Sequence, residues 1–128
     1  KKVRILGFVP DANLPELYNY ADIFLMPSLT MESFGITAIE SLACATPVIA
    51  TKSGALPEII KSGGVTTSLW EFPKAVADLL SDPDRIRKLG KEGRKFVERE
   101  YSWDVVAKRI ENLYLEVLDG EFHGVHNT

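Results

Sequence analysis

Two strand-length apolar runs, "DIFLMPS" at residues 22–28 and "TPVIAT" at 46–51, lie on either side of a stretch with helical spacing. Both are apolar almost continuously rather than at every second position. That is the signature of strands covered on both faces, and such strands belong to parallel sheets. Residues 3–9, "VRILGFV", bounded by Pro10 and Asp11, read as another strand, and "GVTTSL" at 64–69 reads as the fourth. Strands of this kind alternating with helices define an α/β chain, a parallel sheet with helices on both sides.

The helical segments carry their own marks. Residues 13–21 begin at a capping residue, Asn13, and place Leu14, Leu17 and Ala21 at helical spacing. In "FGITAIESLACA", residues 34–45, Ala38, Ile39, Leu42 and Ala43 fall along one side. "GALPEIIKSG", 54–63, reads as a loop with a short helix. Beyond Trp70 three helices are expected, at 71–80, 83–100 and 102–118. Ser102 is the expected N-cap of the last, and Val106, Ile110, Leu113 and Val117 recur along one of its faces. Residues 1–118 therefore read as one domain and 119–128 as a tail or linker.

Several function classes are disfavoured. The net charge is −3 and there is no large basic block, so nucleic-acid binding by backbone neutralisation is not expected. Arg85, Arg87, Lys88, Lys91, Arg94 and Lys95 alternate with Asp82, Asp84, Glu92 and Glu98, the pattern of a solvated helix face. The single cysteine, Cys44, excludes an internal disulfide and fits a reducing compartment. Among the small residues of "SLACATP" it reads as buried filler, not as a nucleophile. His123 and His126 lie in the tail and receive no role. No apolar run is long enough to span a bilayer, and no signal-peptide pattern opens the chain.

In parallel sheets ligands sit outside the carboxyl ends of the strands. One such end leads into "ESFGITAIE", where Glu32 and Glu40 bracket seven uncharged residues, and the next charge is Lys52. In a chain with 26% charged residues, such isolation is a signal. Gly35 lies where the loop turns into the helix and allows close approach of a ligand. The first amides of a helix lack internal partners and favour an anion. Those around Phe34, Gly35 and Ile36 could hold a diphosphate. Glu40, roughly 7.5 Å further along the helix axis, shares a polar strip with Thr37 and Cys44. A sugar diol suits its carboxylate, two hydroxyls donating to two oxygens. Two plainer readings stay open. Glu32 is then only a charge at a helix start, and Glu40 accepts from a backbone amide of a neighbouring loop.

These residues resemble a known family. "ESFGITAIESLACATPVIAT" is similar to the E-x7-E segment of the retaining GT-B glycosyltransferases, called glycosyl transferases group 1 or family 4. "VRILGFVPDANLPELYNYADIFLMPS" resembles the strand–helix–strand before that motif, "SGALPEII" its Gly-Leu-Pro-Glu loop, and "YSWDVVAKRIENLYLEVL" its closing helices. The resemblance implies the distal part of a Rossmann-like C-terminal domain that binds a nucleotide-diphosphate sugar, such as a UDP-, GDP- or ADP-sugar. The sugar is transferred with retention at the anomeric carbon, with no cofactor and no metal expected. Carried onto this chain, Glu32 is the acid at the reaction centre. Phe34, Gly35 and Ile36 meet the donor sugar and diphosphate, Ser33 and Thr37 support them, and Glu40 binds the ribose hydroxyls. Gly54 and Glu58 belong to the following loop.

The match departs in places. Ala45 and Ala55 stand where the family has glycine. Ala45 is expected to matter little on ordinary backbone angles, whereas Ala55 would weaken its loop if positive φ is needed there. The family's diphosphate-neutralising Arg and Lys and its N-terminal acceptor domain lie upstream of this sequence. The expectation is therefore a piece of a longer, cytoplasmic enzyme, with any membrane association supplied by the other domain, and inactive alone. Two competing readings are a non-catalytic binding module of the same fold and another GT-B enzyme such as a sugar-nucleotide epimerase.

Overall fold

Three of the four strand segments meet in one sheet. The computed structural model describes residues 2–119. Its strands are β1 (Phe24–Met26), β2 (Val48–Thr51) and β3 (Gly64–Thr67), in the order β1-β2-β3 and all parallel. Phe24 pairs with Val48, and Val48 in turn with Gly64. Around them lie α1 (Leu14–Tyr20), α2 (Ile36–Ala43), α3 (Leu56–Ile59), α4 (Phe72–Leu80), α5 (Pro83–Glu100) and α6 (Trp103–Leu118). A turn of 3-10 helix, Asp11–Asn13, precedes α1. The three-stranded parallel sheet with flanking helices is the α/β arrangement expected from the apolar runs.

The expected strand at residues 3–9 does not form. Gly7 takes φ +70, which breaks an extended run, and the segment joins neither edge of the sheet. Its apolar side chains stay in solvent, with Ile5 92% and Phe8 89% exposed. An apolar run specifies burial, but a strand also needs a ladder partner, and the run by itself names none.

Helix starts follow local chemistry. Proline occupies the first turn of α1, α3, α4 and α5, where its missing N–H costs nothing. Asp82 caps α5 by accepting the Arg85 N–H at 3.0 Å. Asn13 and Ser102 stand at N-cap positions, as expected, but neither makes a side-chain cap bond.

β2 is buried along its whole length, and its side chains divide the core. Val48 and Ala50 join Ala38, Leu42, Leu56, Ile59, Ile60 and Val97 under α2, α3 and α5. Ile49 points the other way, onto Phe72 and Leu79 of α4. This alternation is the period-2 rule on a strand covered on both faces. No residue of α6 is fully buried; of the face that recurs at helical spacing, Val106 is half-buried and Ile110, Leu113 and Val117 are exposed.

The two alanines behave opposite to expectation. Ala55 has φ −76 and needs no glycine. Ala45 has φ +59, in the left-handed region. It follows the end of α2, where the Thr46 N–H donates to the Ser41 carbonyl (3.0 Å) and the Ala45 N–H to the Leu42 carbonyl (2.9 Å). This pair of bonds is a Schellman cap, whose left-handed position glycine normally fills. An alanine held there costs about 1–2 kcal/mol.

Candidate functional site

The loop after β1 is fastened to the end of β2 and the loop that follows it by three rungs. Thr51 Oγ1 donates to the Ser28 carbonyl at 2.8 Å and Ser53 Oγ to the Thr30 carbonyl at 2.6 Å. The Ala55 N–H donates to the Glu32 carbonyl at 3.1 Å. Every second residue of one loop thus engages every second residue of the other. The result fixes the main chain of Glu32 just ahead of α2. Gly54, at φ +51, lies directly against this carbonyl; a Cβ there would stand 1.9 Å from the Glu32 oxygen.

Gly35 is the N-cap of α2, with φ +77 and ψ +49. In this left-handed turn a side chain would be strained, and a Cβ would come 2.8 Å from Leu56 Cδ2. No side chain caps the helix, and no acid lies in its first turn. Among the described residues the Gly35, Ile36 and Thr37 amides have no acceptor. Gly35 itself is buried, and the exposed Ile36 and Thr37 leave the positive end of the helix dipole open to solvent beside Glu32. Ile36 is 62% exposed and Ser33 is exposed as well. Phe34 is turned aside, its ring edge-on to Tyr101 at 5.9 Å. The Thr37 hydroxyl lies 4.0 Å from Met26 Sδ.

Glu40 is half-buried on the side of α2 that faces α1. It lines a groove of about 350 Å³ with Asp11, Leu14, Pro15, Tyr18 and Cys44. Its carboxylate accepts a hydrogen bond from the Tyr18 hydroxyl at 3.0 Å. Burial, and then the bond to Glu40, push the Tyr18 phenol up to about 12. The fold therefore favours the neutral, donating phenol, a contribution present below the ordinary tyrosine value and lost as pH rises through about 12. Cys44 is half-buried, not fully buried as its small neighbours suggest, and desolvation raises its thiol.

The expected residues thus separate into three places. Glu32, Gly35 and Gly54 form one junction, with Ser33, Ile36 and Thr37 at its mouth. Glu40 opens onto the neighbouring groove along the same helix. Glu58 lies apart, exposed in a concavity of about 630 Å³ with Lys61, Phe96, Arg99, Tyr101 and Arg109. There Arg99 and Arg109 hold the Glu100 carboxyl below the usual carboxylate range. Tyr18 was absent from the expected set. Its signal was a phenol on the inner side of an otherwise apolar helix face, a group that seeks a partner when it is covered. Among the described residues no cluster of His, Cys, Asp or Glu could hold a metal ion, and no helix is long and apolar enough to cross a membrane.

Known proteins resemble the chain in sequence and fold. The chain is 38% identical over 120 residues to an uncharacterized glycosyltransferase of Methanocaldococcus jannaschii, covering 88% of this chain and 30% of the relative. It superposes on sucrose-phosphate synthase of Thermosynechococcus elongatus with a TM-score of 0.84 and 31% identity, over 93% of this chain and 31% of that one. It also matches the C-terminal domain of a glycosyl transferase group 1 family protein of Francisella tularensis, with a TM-score of 0.66 and 34% identity, over 77% of this chain and 53% of that one. The chain spans roughly a quarter to a third of the length of the curated relatives it matches. The family profile for glycosyl transferases group 1 covers residues 1–96. By profile, by sequence and by the sheet that carries the loop junction, the chain belongs to the group 1 glycosyl transferases, with the fold of a GT-B C-terminal domain.

Proposed function

We propose that residues 1–118 form the distal part of the donor-binding domain of a glycosyltransferase, which transfers a sugar with retention from a nucleotide-diphosphate sugar to an acceptor held by another domain. The observation that carries this reading is the uncapped start of α2 at Gly35, beside Glu32 and on the same helix as Glu40. The Gly35, Ile36 and Thr37 amides receive the diphosphate. Negative charge grows on its oxygens as the sugar departs, and fixed amide dipoles stabilise that charge with little reorganisation. Ser33 and Phe34 bound the same loop.

Glu32 faces the donor sugar, its main chain held by Ala55 and Gly54. It is not assigned as a covalent nucleophile. The glycosidase arrangement needs two acids flanking one bond, and Glu40 opens onto the other groove. Glu40 takes the ribose diol, its carboxylate accepting both hydroxyls. Glu58 belongs to the loop but stands outside the junction, so its contact with donor is the weakest of the set.

Glu40→Gln tests the ribose assignment. Gln retains an acceptor for Tyr18, so the thermal midpoint should stay close to wild type. Affinity for the nucleoside diphosphate should fall by about 1.5–3 kcal/mol, the value of a hydrogen bond to a charged group. Isothermal titration of wild type and variant reads this directly. Equal affinities would take Glu40 out of the site.

A further inference from the structure

The Tyr18–Glu40 contact goes beyond covering a polar atom. Tyr18 is fixed at three points. Its ring meets Phe24 edge-on at 5.5 Å. Its carbonyl accepts the Thr46 hydroxyl at 2.7 Å and the Ala21 N–H at 3.1 Å. Its hydroxyl donates to Glu40 Oε2 at 3.0 Å. The Thr46 bond ties α1 to the residue just past the end of α2, so the two helices that carry the pair are joined next to it. A glutamate on a helix surface otherwise samples several rotamers, and each one frozen on binding costs free energy. A rigid phenol on one oxygen removes that freedom beforehand. Glu40 lines the groove between α1 and α2, and a carboxylate with one bond on Oε2 keeps Oε1 and a second Oε2 lone pair as acceptors.

We infer that Tyr18 is a positioning residue for donor binding: it holds the Glu40 carboxylate in the orientation that accepts the two ribose hydroxyls of a nucleoside diphosphate. The inference rests on the assignment of Glu40 to the ribose. Tyr18 itself touches no reacting atom. The high-lying phenol keeps it a donor at every pH at which the chain would be assayed.

The test compares nucleotides that differ only at the ribose. The full chain, Tyr18→Phe and Glu40→Gln are each titrated with UDP, GDP and ADP and with the 2′,3′-dideoxy forms. Phenylalanine keeps the ring on Phe24 and removes only the hydroxyl. The expected result is a loss of about 3- to 10-fold in affinity for the ribonucleotide, the scale of one hydrogen bond, with dideoxynucleotide affinity unchanged. A variant-free measurement runs beside it. In the wild-type chain, the ring resonances of Tyr18 should shift with ribonucleotide and stay still with dideoxynucleotide. Equal loss for both nucleotides in Tyr18→Phe would make the tyrosine purely structural and overturn the inference. So would a silent ring, or an unchanged Tyr18→Phe beside a weakened Glu40→Gln, with the donor-site reading intact. If Glu40→Gln is also unchanged, or no nucleotide binds, the ribose assignment fails and the inference falls with it.

Discussion

Gly54→Ala is expected to lower stability by about 2–5 kcal/mol, the sum of a left-handed alanine and an overpacked contact. The position takes φ +51, and the new Cβ would stand 1.9 Å from the Glu32 carbonyl oxygen, 2.8 Å from its carbon and 2.9 Å from the Glu32 nitrogen. All three are main-chain atoms, so no rotamer change relieves the clash. The two loops must part, and the bond from the Ala55 N–H to the Glu32 carbonyl opens as they do. The effect therefore reaches the site as well as the fold. For a domain of this size the thermal midpoint should fall by roughly 8–20 °C, and nucleoside diphosphate binding should weaken in the protein that remains folded. Circular-dichroism melting and calorimetry of one preparation read both. An unchanged midpoint with unchanged binding would mean that the junction of Glu32 and Gly54 is not what orders this loop.

The second large effect is expected at Gly90, inside α5. Alanine is a better helix former than glycine by about 1 kcal/mol, so propensity alone predicts a more stable helix. The structure predicts the reverse. A Cβ on Gly90 would lie 2.0 Å from the Ala45 carbonyl oxygen, again a main-chain atom. The neighbouring Gly93 shows the same closeness, its Cβ position 2.7 Å from Leu42 Cδ2 and 2.8 Å from Gly63 Cα. Helix α5 rests on the end of α2 and the start of β3 through these glycines. Gly90→Ala should therefore destabilise by up to about 2 kcal/mol net, an overpacking cost of about 1–3 kcal/mol less the gain of about 1 kcal/mol in propensity. Denaturant melts decide by sign. A gain in stability would show that α5 can slide away from α2 freely.

These two contacts mark where sequence reading stops. The continuous apolar character of "TPVIAT" sufficed to call a strand covered on both faces, because burial on two faces is a property of the run itself. β2 is buried throughout. The segment "VRILGFV" has similar composition and yet forms no strand, because pairing depends on a partner elsewhere and on the backbone of Gly7. Glu32, Gly35 and Glu40 were legible as a group from the absence of charge around them. Their division between a loop junction and a groove was not. That division depends on the rungs from Thr51, Ser53 and Ala55, and two of these donors are common hydroxyl residues. Tyr18 was hidden for the same reason, since its partner lies 22 residues away in sequence. The alanine substitutions show a subtler limit. Both stand where the resemblance led one to expect glycine, and only the backbone reveals that Ala45, not Ala55, carries the strain.

On the proposed function, the start of α2 and Glu40 together bind a nucleoside diphosphate. An amide chemical-shift titration of the chain with UDP, GDP and ADP tests it most directly. Binding on the order of millimolar, about −4 kcal/mol, is expected from an open helix terminus and one carboxylate groove. Shifts should concentrate at Ser33, Gly35, Ile36, Thr37, Glu40 and Gly54, with the largest at the uncapped amides. Shifts confined to the concavity around Glu58, Arg99 and Arg109, or no shifts with any of the three nucleotides, would contradict it.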